Sequence, residues 1–191
     1  MKILKHIPNI LTLLRVVLVP VYLLSLYLCE PKNGALIALL VFVIAGISDY
    51  LDGMLARKYQ IISNFGKIAD PLADKIIVTA ALITMAIKPM NFINFYIVII
   101  IVLREIIVTM LRSWYQKKGV YIAANMWGKI KTITQMVGII AALVFNAARY
   151  HIHLLKNFES PIVFAIKVFF WGVAIVTIIS GITYFPSKKN K

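Results

Sequence analysis

Apolar stretches long enough to cross a lipid bilayer recur along this chain, and no other feature restricts its fold so strongly. A membrane-spanning helix needs about 20 mainly apolar residues, because the bilayer core holds no water to satisfy an exposed backbone. Six segments meet that need, at about residues 8–28, 35–57, 67–88, 92–116, 124–148 and 161–183. Pro31 with Asn33 and Gly34, Pro89 with Asn91, and Pro161 punctuate the connections. Composition agrees, with 61% of the 191 residues hydrophobic, 15% charged and a mean hydropathy of +0.88. Soluble domains average about 45–50% apolar and about 25% charged. Disorder, a coiled coil and a disulfide-stapled scaffold are excluded, the last because Cys29 is the sole cysteine. No internal repeat or cleavable signal peptide is visible. The expected fold is an all-α integral membrane protein of six transmembrane helices, forming a single domain over residues 1–191.

The net charge of +14 would suggest nucleic acid in a soluble protein. In an apolar chain it reads as cytoplasmic flanks facing anionic lipid, with no nucleic-acid partner. Lys2, Lys5, Arg57, Lys58, Lys67, Lys117, Lys118, Lys188, Lys189 and Lys191 fall on one side, against Lys32, Lys88, Arg149 and Lys156 on the other. That bias predicts both termini and the 57–67 and 117–123 loops in the cytoplasm.

The acidic residues carry the functional argument. Only Glu30 and Glu159 lie in predicted loops, whereas Asp49, Asp52, Asp70, Asp74 and Glu105 fall within apolar segments. A charge near the bilayer centre costs at least about 2.5 kcal/mol, so embedded charges mark functional sites. Asp49 and Asp52 end the second segment, Asp70 and Asp74 begin the third, and Arg104 to Arg112 occupies the same half of the fourth. Every embedded charge except Lys167 gathers toward one face, which predicts a polar vestibule at the cytoplasmic interface. At about 100° per residue, Asp49, Asp52, Gly53, Ala56 and Arg57 share one arc, and Asp70 and Asp74 share another. Four converging carboxylates need cations to stay ionised, and hard oxygen donors suit two Mg²⁺ or Mn²⁺ ions. Gly53 and Ala56 leave a groove in which a bulky ligand can approach the backbone, and Arg57 can fork onto a phosphate. Structural readings stand beside these. Asp70 before Pro71 is a good helix N-cap, Gly53 and Ala56 suit a helix-packing notch, and Asp49 and Asp52 can pair with Arg57 and Lys75.

Residues 49–74 read Asp49-Tyr-Leu-Asp52-Gly53-Met-Leu-Ala56-Arg57, eight residues, then Gly66-Lys-Ile-Ala-Asp70-Pro-Leu-Ala-Asp74. The stretch resembles, at all eight specified positions, the D-x-x-D-G-x-x-A-R-x₈-G-x-x-x-D-x-x-x-D signature of the CDP-alcohol phosphatidyltransferases. Ile7-Pro8-Asn9-Ile10-Leu11-Thr12 with Arg15, Arg104-Glu105 with Arg112, and Gly128-Lys129-Ile130-Lys131-Thr132 are similar to members that use glycerol 3-phosphate. The resemblance spans residue 7 to about residue 140, and the last segment adds little to it. It implies a homodimer in a bacterial plasma membrane, with two metals held by Asp49, Asp52, Asp70 and Asp74 and with Asp74 as general base. It implies that CDP-diacylglycerol lies along Asp52, Gly53, Ala56, Arg57 and Gly66, with Asn9 and Thr12 closing the pocket. The activity implied is transfer of a phosphatidyl group to glycerol 3-phosphate, with release of CMP.

A phosphorylated acceptor needs cations. Arg104 and Arg112 are about 80° apart on one helix, and arginine binds phosphate bidentately. Lys131 shares an arc with Thr132 and Gln135 and is favoured for the pocket over Lys129, which sits two residues away on another face. Glu105 is positioned to orient a neighbouring basic group. Snorkelling toward headgroups is the alternative for Arg112 and the reading for Lys167, and Trp171 is read as packing or a dimer contact. Two other functions fit parts of the pattern. A sister enzyme would use inositol, inositol phosphate or serine. A cation or proton transporter would bury carboxylates too, but near the midplane and with repeats or broken helices.

Overall fold

The computed structural model describes the backbone of residues 7–59, 66–118 and 126–182, with side chains for 13–51, 54, 75–116, 118, 126–152, 154–155 and 157–182. Among these residues every regular element is a helix. They run α1 (Ile7–Leu28), α2 (Pro31–Tyr59), α3 (Gly66–Ala86), α4 (Phe95–Lys117), α5 (Met126–Ala148), the short α6 (His153–Asn157) and α7 (Glu159–Ile182). Six long helices therefore occupy the six apolar segments. The helix boundaries shift by a few residues from expectation, most of all at the second helix. The second helix starts at Pro31 rather than near residue 35, with proline at a first helical position where its missing N–H costs nothing. The stretch before α7 carries the five-residue α6.

Among the described residues, three helical stretches are long and apolar enough to cross a membrane: Pro31–Leu51, Met126–Ala148 and Glu159–Ile182. Leu13–Leu28 and Lys75–Ala86 are shorter apolar helices. The fourth helix is long but carries Arg104, Glu105 and Arg112, and those charges are where its interest lies.

Sequential helices pack as neighbours at first: α1 lies against α2 and α3, and α3 against α4. Long-range pairing closes the bundle, with α5 on α2 and α7 on both α5 and α4. Small residues set the close approaches. Only Cys29 and Glu30 join α1 to α2, and a Cβ on Gly34 would sit 2.1 Å from the Ser25 carbonyl oxygen. A Cβ on Gly138 would meet the Phe169 ring at 2.6 Å, so glycine lets α5 and α7 touch. The core runs along the bundle from Tyr22 and Phe42 through Leu82, Ile97 and Ile101 to Leu143 and Phe170. Beside Tyr22 the core's polar groups pair with one another: the Tyr22 and Thr84 hydroxyls lie 2.8 Å apart, and Thr84 donates back to the Ala81 carbonyl. The outside is apolar, with Leu28, Tyr96, Met110, Leu154 and Phe164 each about two-thirds exposed or more. Trp171 is 43% exposed, so it does not pack inside this chain's core. A surface of this kind suits lipid.

Candidate active site

Polar side chains collect where α3, α4 and α5 meet, and helical spacing explains which ones. On α5, Lys131, Gln135, Gly138, Ile139 and Ala142 form one buried stripe, so the face that packs the core also carries a lysine and an amide. On α4, Ile101, Glu105 and Thr109 stack at four-residue intervals. On α3, Lys75, Thr79 and Leu82 share a face at spacings of four and three residues.

These faces enclose a cavity of about 90 Å³. Lys75, Thr79, Glu105, Lys131, Thr132 and Gln135 supply its polar wall, and Val78, Leu82, Ile101, Val102 and Met136 the rest. Glu105 is central. It accepts a hydrogen bond from Lys131 Nζ, and its other oxygen lies 3.4 Å from Lys75 Nζ. Lys75 also donates to the Thr109 hydroxyl, which in turn donates to the Glu105 carbonyl oxygen at 2.6 Å. A lysine as buried as Lys131, 1% exposed, persists only with such a partner. Gln135 is equally enclosed, at 3% exposed, and its side-chain carbonyl oxygen has no hydrogen-bond partner among the described residues.

A second ion pair joins α1 to α2, where buried Arg15 donates to Asp49 at 2.6 Å. Asp49 is half-buried, a hard oxygen donor at the signature's first position. Its partner is thus Arg15, and Lys75 belongs to Glu105; the pairing of Asp49 with Lys75 considered from sequence does not occur. Asn9, Thr12, Asp52, Gly53, Ala56, Arg57, Gly66, Asp70 and Asp74 fall in α1, α2 and α3 by backbone, but their side chains lie outside the described set. Among the described residues no group of three or more His, Cys, Asp or Glu side chains forms a metal cluster.

The basic candidates separate. Lys131 lines the cavity together with Thr132 and Gln135, as their shared arc predicts. Lys129 is exposed. Arg104 reaches across to α7, where its Nη2 donates to Ser180 Oγ at 2.6 Å, and its Cγ would lie 3.3 Å from a Cβ on Gly181. Arg112 and Lys167 are half-buried. Sequence reasoning missed the contribution of α7, whose buried stripe Phe170, Val173, Ala174, Thr177 and Ser180 ends in two hydroxyls. Hydroxyls at three-residue spacing beside Gly181, in a mainly apolar helix, were the available clue. It also missed Lys75 as a cavity residue, although Lys75 and Thr79 share a face.

Comparison with known proteins decides the family. The family model for CDP-alcohol phosphatidyltransferases matches residues 5–181. The chain belongs to the CDP-alcohol phosphatidyltransferase family. Relatives named CDP-diacylglycerol–glycerol-3-phosphate 3-phosphatidyltransferase extend over nearly the whole length of this phosphatidyltransferase. The Haemophilus influenzae protein is 36% identical, covering 97% of this chain and 94% of its own. That of Rickettsia bellii is 34% identical over 100% and 99%. The Mycoplasma pneumoniae relative is 42% identical over 70% of this chain, which spans 54% of that longer protein.

Proposed function

We propose that this phosphatidyltransferase moves the phosphatidyl group of CDP-diacylglycerol to sn-glycerol 3-phosphate, giving phosphatidylglycerophosphate and CMP. The observation that carries the reading is the unbroken signature from Asp49 to Asp74, in a chain that aligns end to end with relatives bearing that activity in their names. The acceptor's hydroxyl oxygen attacks the lipid-side phosphorus, the bond from phosphorus to the CMP oxygen breaks, and Asp74 takes the hydroxyl proton. Asp49, Asp52, Asp70 and Asp74 are the carboxylates to hold two Mg²⁺ or Mn²⁺ ions, which when bound polarise the pyrophosphate and neutralise the departing CMP. Asn9, Thr12, Asp52, Gly53, Ala56, Arg57 and Gly66 form the nucleotide groove. Arg104, Arg112 and Lys131, with Lys129 outside them, supply positive charge for the acceptor phosphate.

The proposed setting is a bacterial plasma membrane. All six long helices span it, both termini are cytoplasmic, and the site opens to the cytoplasm, where a soluble anion can meet a lipid. The working unit is a homodimer, which fits an apolar exterior with Trp171 outward. The test is an acceptor screen with purified enzyme and CDP-diacylglycerol, scored by CMP release and lipid product. Glycerol 3-phosphate should be used, and free glycerol should be very poor, because each charge-assisted phosphate contact is worth about 1.5–3 kcal/mol. Preference for inositol, inositol phosphate or serine would overturn the acceptor while leaving the phosphatidyl chemistry intact.

A further inference from the structure

We infer that Glu105 is a positioning residue for the acceptor. Its carboxylate, held between Lys75 and Lys131, fixes the Lys131 ammonium at the cavity wall and ties the acid-bearing helix α3 to α5. The inference rests on the acceptor reading above and adds to it a role for an anionic side chain inside a pocket meant for an anion.

A carboxylate in that place needs explaining, because it repels a phosphate. Two lysines and one glutamate meet in this triad, and two charges would have cancelled more simply. The triad leaves one net positive charge at the cavity, carried by ammoniums whose directions are fixed by one shared anion. Lysine has a flexible four-carbon stem and gives no fixed geometry by itself. Glu105 is fixed in turn: its backbone carbonyl takes the Thr109 hydroxyl, and that hydroxyl takes Lys75. The three partners come from three helices, so the triad also sets the separation of α3 from α5. Lys75 follows Asp74 directly in sequence, so the general base and the cation wall are indexed to each other by one residue's spacing. The cavity is built to take a polar guest. It is several times the roughly 10–15 Å³ that one water requires. The buried Gln135 on its wall keeps a carbonyl oxygen without a partner among the described residues, an acceptor for a guest hydroxyl.

The experiment is steady-state kinetics on purified full-length enzyme in detergent–lipid micelles, varying each substrate against saturating levels of the other. Glu105→Gln should raise KM for glycerol 3-phosphate about tenfold or more, the loss expected when one charge-assisted contact is misplaced. KM for CDP-diacylglycerol should stay within about twofold. Glu105→Asp should recover a large part of the loss. In a Lys131→Met background the same Glu105→Gln change should add little, since the group it positions is gone. Lys75→Met keeps the inference testable if Glu105→Gln does not fold, and should raise the same KM severalfold. Unchanged KM for glycerol 3-phosphate in Glu105→Gln, or in Lys75→Met where that is the variant that folds, overturns the positioning role. So does an equal rise in both KM values. Wild-type enzyme assayed in parallel separates the two ideas. Normal wild-type turnover with an indifferent variant defeats Glu105 alone, and wild-type failure on glycerol 3-phosphate defeats the acceptor reading and this inference with it.

Discussion

Among the described residues, the ion pairs around Arg149 and around Glu105 differ in what surrounds them. Arg149, at the end of α5, donates to Glu159 at 2.6 Å and to the Tyr150 hydroxyl at 3.0 Å. Its guanidinium also lies 5.0 Å from the Phe92 ring centre and 4.9 Å from that of Tyr150. Its partners Glu159 and Tyr150 are close in sequence, and aromatic rings close the space around it. The Lys75–Glu105–Lys131 cluster instead joins three helices, borders a cavity and adjoins an amide oxygen left unsatisfied. A charge cluster capped by aromatic rings at the end of a helix is a clamp for a turn. One that opens on a cavity with unmet hydrogen-bonding capacity is suited to a ligand.

The comparison breaks most severely at the acidic signature. Asp74→Asn should cost at least about 10²-fold in turnover, the lower range for a general base, with expression and melting temperature near wild type. Chelation by EDTA should abolish activity, and Mg²⁺ or Mn²⁺ should restore it, if the four signature aspartates converge as proposed, since converging carboxylates need cations to remain ionised. Full turnover without metal defeats the two-metal reading, and substantial activity in Asp74→Asn removes the base.

The clamp should respond in the opposite manner. Arg149→Met removes a buried guanidinium and leaves Glu159, at 43% side-chain exposure, largely able to hydrate. The expected loss is about 1–3 kcal/mol of stability, read as a lower melting temperature. Both KM values should stay unchanged. A selective change in KM for glycerol 3-phosphate in this variant would erase the distinction between the clusters.

What was legible in the sequence follows from the range of each interaction. The apolar segments and the helices that fill them are local properties, so all six long helices were foreseen. Pro31 was read as a turn and opens a helix, because proline suits both. The arc of Lys131, Thr132 and Gln135 was legible from periodicity within one helix, and it does line the cavity. That Glu105 would meet a basic group was legible too. That the groups are Lys131 and Lys75 was not, because α3, α4 and α5 meet only through tertiary packing. Arg104 shows the same limit. Its partner Ser180 lies 76 residues away, on a helix whose sequence advertised only hydrophobicity.

The smallest expected effect is at Lys129, and it sharpens the comparison because it sits two residues from Lys131. Two residues are about 200° of helical rotation, so the two ammoniums leave α5 on nearly opposite sides. Lys131 is 1% exposed and faces Glu105, whereas Lys129 is exposed. A solvent- or headgroup-facing lysine contributes at most general attraction for anions, which salt screens within about 10 Å at 0.1 M. Lys129→Ala should therefore change KM for glycerol 3-phosphate by no more than about twofold, with the difference vanishing as salt is raised. Lys131→Met should raise the same KM far more and keep its deficit at high salt, because a buried contact is screened little. If Lys129→Ala matched Lys131→Met at both salt levels, the acceptor would be approaching α5 from its outer face. The cavity between α3, α4 and α5 would then not be its binding place.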